Sequence, residues 1–339
     1  MTPPPCGTSP CSQHYPAAGP AGSPGDPPAL SSEAPCGEPS ASAFAPLELA
    51  DRPVFRALEA ASPLEGSDAS FTNLFIWRNY YRFAWSRAGD ALCVMASPLD
   101  GQPFCLQPLG APERLEAWDF MAARMRELSL APLFSRVPER EAEIIRAARP
   151  DWEVEPDRDN DDYVYDAAKL RTLSGRSMHQ KKNHYNHFIQ NNRAEFLPIT
   201  RSLFPELKRV EDKWLTLKAE REAAGDATHL ALEREAIHSI LERFEDLGQR
   251  GLAIRIDGAI EAFTVGEMLS PDTLLVHIEK GNPEIRGIYV ALCSHFVREV
   301  FPEAAFVNRE QDLGLPGLRR SKESLKPHHF VRKFKVKPR

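Results

Sequence analysis

The sequence predicts a mixed α/β fold of two modules, each a mixed sheet flanked by helices, behind a disordered leader. Three observations carry this expectation. Short apolar runs of period two alternate with stretches of helical period, the pattern of a mixed α/β layer. A chain of 339 residues with 42% hydrophobic content can bury two ordinary cores. Composition also changes sharply near residue 45, before which Pro, Ala, Ser and Gly dominate.

Residues 1–45 have too few aliphatic side chains to offset chain entropy, so they are expected to be disordered. The first module is expected over 46–158. Phe71, Leu74, Phe75 and Trp77 form an aromatic segment, and strand-like runs at 80–85 and 91–95 are joined as a hairpin across Gly89-Asp90. After a strand near 104–109, Leu115, Trp118, Ala122, Met125 and Leu128 recur at helical spacing behind Pro112. Residues 133–137 read as a strand, 139–148 as a helix, and 152–154 and 163–165 as strands.

The second module is expected over 159–339 and begins with three helices. In the first, about 176–190, Met178, Tyr185 and Ile189 share a face. Leu207, Val210, Trp214 and Leu217 mark the second, and Ile237, Leu241, Phe244 and Leu247 the third, stopped by Gly248 as a left-handed cap. Leu252, Ile254 and Ile256 alternate up to Asp257-Gly258, a pair suited to a type I′ turn, with the return strand running to about Met268. Strands at 273–279 and 304–308 flank a helix from about Pro283 to Val300, with Ile288, Leu292, Phe296 and Val300 as its buried stripe.

Charge and composition exclude several classes. A net charge of −6 argues against a globally basic coat for nucleic acid or membrane. The first basic residue is Arg52, so the N-terminus carries no secretory signal pattern, and no apolar run approaches the ~20 residues needed to cross a bilayer. A cytoplasmic location is expected, with peripheral attachment at the inner membrane surface as the variant. The six cysteines show no C-x-x-C spacing, which supports neither a disulfide framework nor a zinc site. His184-x-x-His187 lacks further ligands. Asp157, Asp159 and Asp161 open like a calcium loop, but Asp162 and Ala168 occupy the glycine and glutamate positions; an acidic linker is expected there, and no metal.

Candidate chemistry gathers in the second module. Alternation along 273–279 places Leu275, His277 and Glu279 on one face and Leu274, Val276 and Ile278 on the other. Acyl transfer needs a base for the acceptor's proton, and a part-buried carboxylate with a raised pKa suits that role; Glu279 is the candidate. The plainer reading pairs Glu279 with Lys280 or an arginine. Asn282-Pro283-Glu284 reads as a capped helix start whose free amides face phosphate, with Arg286 adding charge and Gly287 allowing close approach; an ordinary capped helix is the alternative. Asn308 is a candidate donor to an acyl carbonyl or oxyanion and Asp312 an anchor for an α-ammonium group, although both residue types often satisfy turn backbone. Between 169 and 193 basic residues occur without Asp or Glu and are interleaved with His and aromatic rings; Lys181 and Lys182 are the phosphate candidates there. Lys322, in the basic C-terminal segment, can stabilise an oxyanion, whereas the last basic residues read as solvated charge. Arg309 joins the donor-binding candidates. With no nucleophilic Cys or Ser constellation, direct transfer in a ternary complex is expected.

Helices, a β-hairpin, a strand, a helix and a final strand follow the order of a GNAT-type acyltransferase module. The runs Val276-His277-Ile278-Glu279-Lys280, Glu284-Ile285-Arg286-Gly287-Ile288-Tyr289, Phe306-Val307-Asn308-Arg309-Glu310-Gln311-Asp312-Leu313-Gly314 and Gly317-Leu318-Arg319 with Lys322 resemble the phosphatidylglycerol lysyltransferase C-terminal domain family. The resemblance implies paired GNAT-like modules, the second catalytic, and transfer of an aminoacyl group from charged tRNA to a lipid, peptide or other acceptor, a phospholipid headgroup among them. No cofactor is implied. The alternatives are acyl-CoA as donor and a non-catalytic tRNA- or anionic-lipid-binding protein. The acyl group, the acceptor and the oligomeric state stay open on the sequence alone.

Overall fold

Most period-two runs become strands and most helical-period runs become helices in the computed structural model, which describes residues 44–221 and 227–339. The expected leader therefore lies outside the described residues, apart from 44 and 45. In chain order the elements are β1 (Ala45–Pro46), α1 (Arg52–Ala61), α2 (Phe71–Ile76), α3 (Arg78–Tyr81), β2 (Ala84–Ala88), β3 (Ala91–Ala96) and β4 (Phe104–Cys105). Next come α4 (Leu115–Glu127), β5 (Phe134–Pro138), α5 (Glu139–Ala148), β6 (Glu153–Pro156), β7 (Asp162–Asp166), α6 (Ala167–Thr172) and α7 (His179–Asn191). The remainder is β8 (Ala194–Pro198), α8 (Phe204–Arg221), α9 (Ala227–Glu242), β9 (Arg250–Ile256), β10 (Ala259–Met268), β11 (Thr273–Gly281), α10 (Ile288–His295), β12 (Phe306–Asn308), α11 (Pro316–Glu323), β13 (His329–Val331) and β14 (Lys333–Lys337).

The strands form two seven-stranded mixed sheets, ordered β1-β2-β3-β4-β5-β14-β6 and β13-β7-β12-β11-β10-β9-β8. Among the described residues, the smaller compact unit takes 44–62, Trp77–Pro156 and Phe334–Arg339. Its core is built on Trp118, Met121, Phe134, Ile145 and Val336. The larger unit takes Pro63–Ile76 and Asp157–Lys333. There Leu274 and Val276 of β11 pack with Phe188, Ile288, Leu292 and Phe296. The expected β9–β10 hairpin closes as read, since Asp257 (φ +48°) and Gly258 (φ +85°) are both left-handed, as a type I′ turn requires.

Several expectations need correction. Tyr80 and Tyr81 end a helix instead of opening a strand: Arg82 at φ +47° caps α3 through its N–H to the Arg78 carbonyl, and pairing starts at Ala84. Of the stripe expected at α7, Met178, which caps the helix, is buried and Tyr185 packs partly against the core, but Ile189 is 42% exposed and its neighbour Phe188 is buried instead. Leu207, Val210 and Trp214 are buried as expected, whereas the side chain of Leu217 lies outside the described residues. The helix expected from Pro283 begins at Ile288. Asn282 Oδ1 accepts the Glu284 N–H (3.1 Å) and closes a turn, and Gly287 at φ +87° makes the left-handed step into α10. A π-helical turn, Phe296–Val300, then extends it. The acidic segment at 157–161 is bonded into the larger unit and is no linker: Asp161 accepts the Lys333 N–H (2.8 Å) and Asp159 pairs with Arg319 (2.7 Å).

The faces of β11 also differ from simple alternation, and the site depends on this. Pairing with β10 runs in register from Ala262↔Gly281 to Val265↔Ile278, then shifts so that Gly266 faces Val276 and His277 is the extra residue. Such a bulge reverses the alternation beyond it. Leu274 and Val276 face the core with α10, and Glu279 faces that same side, near Tyr289 and Cys293. His277 and Lys280 turn the opposite way, to Asn73 and to Glu233 and Trp214. The expectation that His277 and Glu279 share a face is therefore overturned.

Candidate active site

β11 is the longer partner of a short parallel pair. β12 meets it only from Thr273↔Phe306 to Leu275↔Asn308, after which β11 continues to Gly281 without that neighbour. The unpaired stretch leaves room beside the sheet. A cavity of about 560 Å³ lies there within the larger unit, lined by β11, the turn before α10, α7, α11 and Arg309.

Its most buried charged lining is an ion pair. Arg309 Nη2 donates to Glu279 Oε1 at 2.6 Å, with the two side chains 5% and 2% exposed. Burial pushes the Glu279 carboxyl above the usual carboxylate range, and the positive charges of Arg309 and Lys322 oppose that rise. Lys181, Arg286 and Arg320 also line the cavity, the two arginines being exposed. Lys181 Nζ donates to Ser324 Oγ at 2.7 Å, which fixes an ammonium on the wall. His184, between them, is held below its ordinary pKa by burial and then by Arg286 and Lys181. Gly287 lines the cavity too, but the close approach it permits is to α7: a Cβ there would stand 2.2 Å from the His184 carbonyl oxygen. Chemically, the arrangement offers a buried carboxylate able to take a proton, a guanidinium beside it, and cations around an opening wide enough for part of an anionic ligand.

The other expected residues sit outside this lining, in the buried frame beneath it. Asn308 Nδ2 donates to Asp162 (2.9 Å) and its Oδ1 accepts the Glu310 N–H (2.8 Å), so it shapes the turn. Asp312 accepts from Tyr163 Oη (2.5 Å), Arg319 Nε and Nη2 (both 2.8 Å) and the Gly314 N–H (2.8 Å). Fully buried and so bonded, it is already supplied with donors where an α-ammonium would have to bind. Lys322 Nζ donates to the carbonyls of Arg309 and Glu310, placing Lys322 behind the ion pair as a support for Arg309. Lys182 Nζ reaches the Thr172 carbonyl at 3.4 Å and stands over the Tyr185 ring. The structure thus gathers Glu279, Arg309, Lys181, Arg286 and Gly287 at one cavity and leaves Asn308, Asp312, Lys322 and Lys182 out of its walls.

Comparison with known proteins settles the kinship. The family model described as phosphatidylglycerol lysyltransferase, C-terminal, matches residues 59–337. The chain belongs to this family. A conserved protein of unknown function from Bacteroides thetaiotaomicron is 28% identical, with a TM-score of 0.80 over 87% of this chain and 99% of that one. L-PGS from Bacillus licheniformis shares the fold at 15% identity, with a TM-score of 0.59 over 85% of this chain and 91% of that one. An uncharacterised protein of Mycoplasmoides gallisepticum is 28% identical over 176 residues, and the match spans 55% of that relative's length.

Membership of the phosphatidylglycerol lysyltransferase C-terminal family supports an acyltransferase-type function, and the chain carries the two mixed sheets flanked by helices that the sequence predicted. Among the described residues no helix is long and apolar enough to cross a membrane. Within this family member, sequence reasoning missed two groups. Ser321 of α11 and Ser324, which caps it, line the cavity beside Arg320, and their helical spacing was the available signal. The second group is a buried polar frame. Lys333, expected to be solvated, is 1% exposed and its Nζ donates to Asp68 and to Asp162 (2.5 Å for the latter). His277 bonds Glu267 and Asn73, each at 3.1 Å. Burial alone would depress its pKa, yet hydrogen bonds to Glu267 and Glu310 prevail and raise it to about 9.

Proposed function

We propose that this protein is an aminoacyltransferase that takes its aminoacyl group from charged tRNA and passes it to an amine or hydroxyl acceptor on a lipid, peptide or other molecule. The observation that carries the reading is the buried Glu279–Arg309 pair set in a cavity whose rim bears Lys181, Arg286 and Arg320, in a chain of this family. The cations suit the terminal phosphodiester of a tRNA acceptor end. Glu279 accepts the proton of the attacking amine or hydroxyl as its lone pair adds to the ester carbonyl carbon. Arg309 stabilises the oxyanion, and collapse expels the ribose oxygen, which leaves with the proton that Glu279 took up, restoring the carboxylate. Lys322 is a positioning residue in this scheme, holding the Arg309 backbone.

Incubation with pooled labelled aminoacyl-tRNAs and crude cell lipid, protein and peptidoglycan precursor tests the reading. Label is expected to move to one acceptor fraction. Transfer from acyl-CoA but not from any charged tRNA would replace the donor, and tRNA binding without transfer would leave a binding protein. The helix start expected at Pro283 to hold phosphate, of acyl-CoA or of a tRNA end, lies instead at Ile288, so it does not favour one donor over the other.

A further inference from the structure

Arg309 reaches Glu279 from a turn held in an uncommon conformation. The next residue, Glu310, sits at φ +57°, a left-handed setting that a residue with a Cβ keeps only where its surroundings over-determine it. Its N–H donates to Asn308 Oδ1 (2.8 Å), and its carbonyl accepts the Tyr163 N–H and Lys322 Nζ (both 3.1 Å). Its side chain is buried on the far side of β11 from the cavity, where Oε1 accepts Asn73 Nδ2 (2.9 Å) and lies 3.5 Å from His277 Nδ1. Asn73 Nδ2 donates to the Ser67 carbonyl as well (2.9 Å), which fixes Asn73 Oδ1 as the acceptor facing His277. Glu267 Oε1 accepts at the other end of the ring, so both ring nitrogens donate and the imidazole is a cation between two carboxylates.

We infer that Glu310 is a positioning residue for transfer: anchored by Asn73 and the His277 cation on one side of β11, it fixes the turn that presents the Arg309 guanidinium to Glu279 on the other. This rests on the reading of Glu279 and Arg309 as the reacting pair. Release of the anchor lets residue 310 relax toward an ordinary backbone conformation, and Arg309, joined to it by one peptide bond, moves off Glu279. A misplacement of about 1 Å at reacting groups costs roughly 100-fold in rate. The charge on His277 is part of the anchor, and Glu267 of β10 and Glu310 of the turn are the charged groups that face it. Once the ring loses a proton, one nitrogen turns a lone pair toward Glu267 or toward Asn73 and Glu310, and that contact is repulsive. Transfer should therefore decline as pH rises through about 9.

The test is single-turnover transfer by the full chain from the pooled labelled aminoacyl-tRNAs to the acceptor fraction that takes label. Rates are corrected for uncatalysed ester hydrolysis, and folding is checked by circular dichroism at each pH. Glu310→Ala is expected to lower the rate roughly 10- to 100-fold while charged-tRNA affinity, from gel shifts, stays within about twofold, the split of a group that acts only on the reacting pair. Glu310→Gln keeps an acceptor for Asn73 but removes one carboxylate that holds the His277 proton, so its decline should begin at lower pH. An unchanged rate in Glu310→Ala, a matched loss of rate and affinity, or an unmoved decline in Glu310→Gln overturns the inference. If no fraction takes label, the reading of the reaction fails, and the Glu279 carboxyl decides the positioning by itself. Followed by carboxyl carbon NMR, its titration midpoint should rise in Glu310→Ala and, by less, in Glu310→Gln, because Arg309 no longer opposes the effect of burial. A midpoint unmoved in both, or in Glu310→Gln alone where Glu310→Ala does not fold, contradicts the positioning role.

Discussion

At the scale of single residues, the candidate site depends on where charge is buried and what balances it. Glu279 gains basicity from burial and keeps its place through Arg309, so it can take a proton without moving far. His277, on the other side of the same strand, is part of the frame. Its folded pKa of about 9 stands above the ordinary value of 6.5, so protonation favours the folded state. That contribution is complete below pH ~6.5 and is lost as pH rises through about 9. Thermal stability should therefore fall between pH 7 and 9.5, and His277→Gln should flatten that slope when melting is followed by circular dichroism. Lys333 gives a second prediction. Replacing it with Met strands Asp68 and Asp162 without their cation, a loss of about 3–5 kcal/mol that urea unfolding would register.

At the scale of elements, period and turn chemistry made most of the fold legible. The β9–β10 hairpin followed from Asp257-Gly258, and α5 starts and stops where its pattern does, at Glu139–Ala148. What escaped has physical causes. A bulge inserts one residue, His277, through a register shift with β10, and one strand's own sequence carries no mark of its partner's register. Gly287 looked like an allowance for ligand, because a glycine does not announce which backbone approaches it. Its role in packing is testable. Gly287→Ala combines a left-handed φ with a clash against α7 and should cost about 1–3 kcal/mol by the same unfolding measurement. The residues that came together at the cavity, Glu279, Arg309, Lys181 and Arg286, were those chosen for charge near a strand end or on a polar-faced helix. Asn308 and Asp312 lie at the same strand end, but Asp162 and Tyr163, 146 and 149 residues away in sequence, satisfy them together with the nearby Arg319, and pairing over the longer separations is invisible to local reading.

At the scale of the whole molecule, the units are not contiguous in sequence. Local periodicity reports helix or strand but not which sheet a segment joins, so a boundary between 158 and 159 gave no hint that Pro63–Ile76 belongs with the larger unit. That segment supplies Ser67 and Asp68 to Asp162 and Lys333, and Asn73 to His277 and Glu310. A fragment of residues 157–333 alone should therefore lack a cooperative thermal transition, and joining residues 63–76 to it through a flexible linker should restore one.

Proton acceptance by the carboxylate at 279 is tested most directly by single-turnover transfer from labelled aminoacyl-tRNA, comparing Glu279→Gln with Asp312→Asn after both are shown to be folded. Loss of about 100-fold or more in the first, with transfer largely kept in the second, is the predicted result. Comparable rates for Glu279→Gln and the unaltered protein would contradict it.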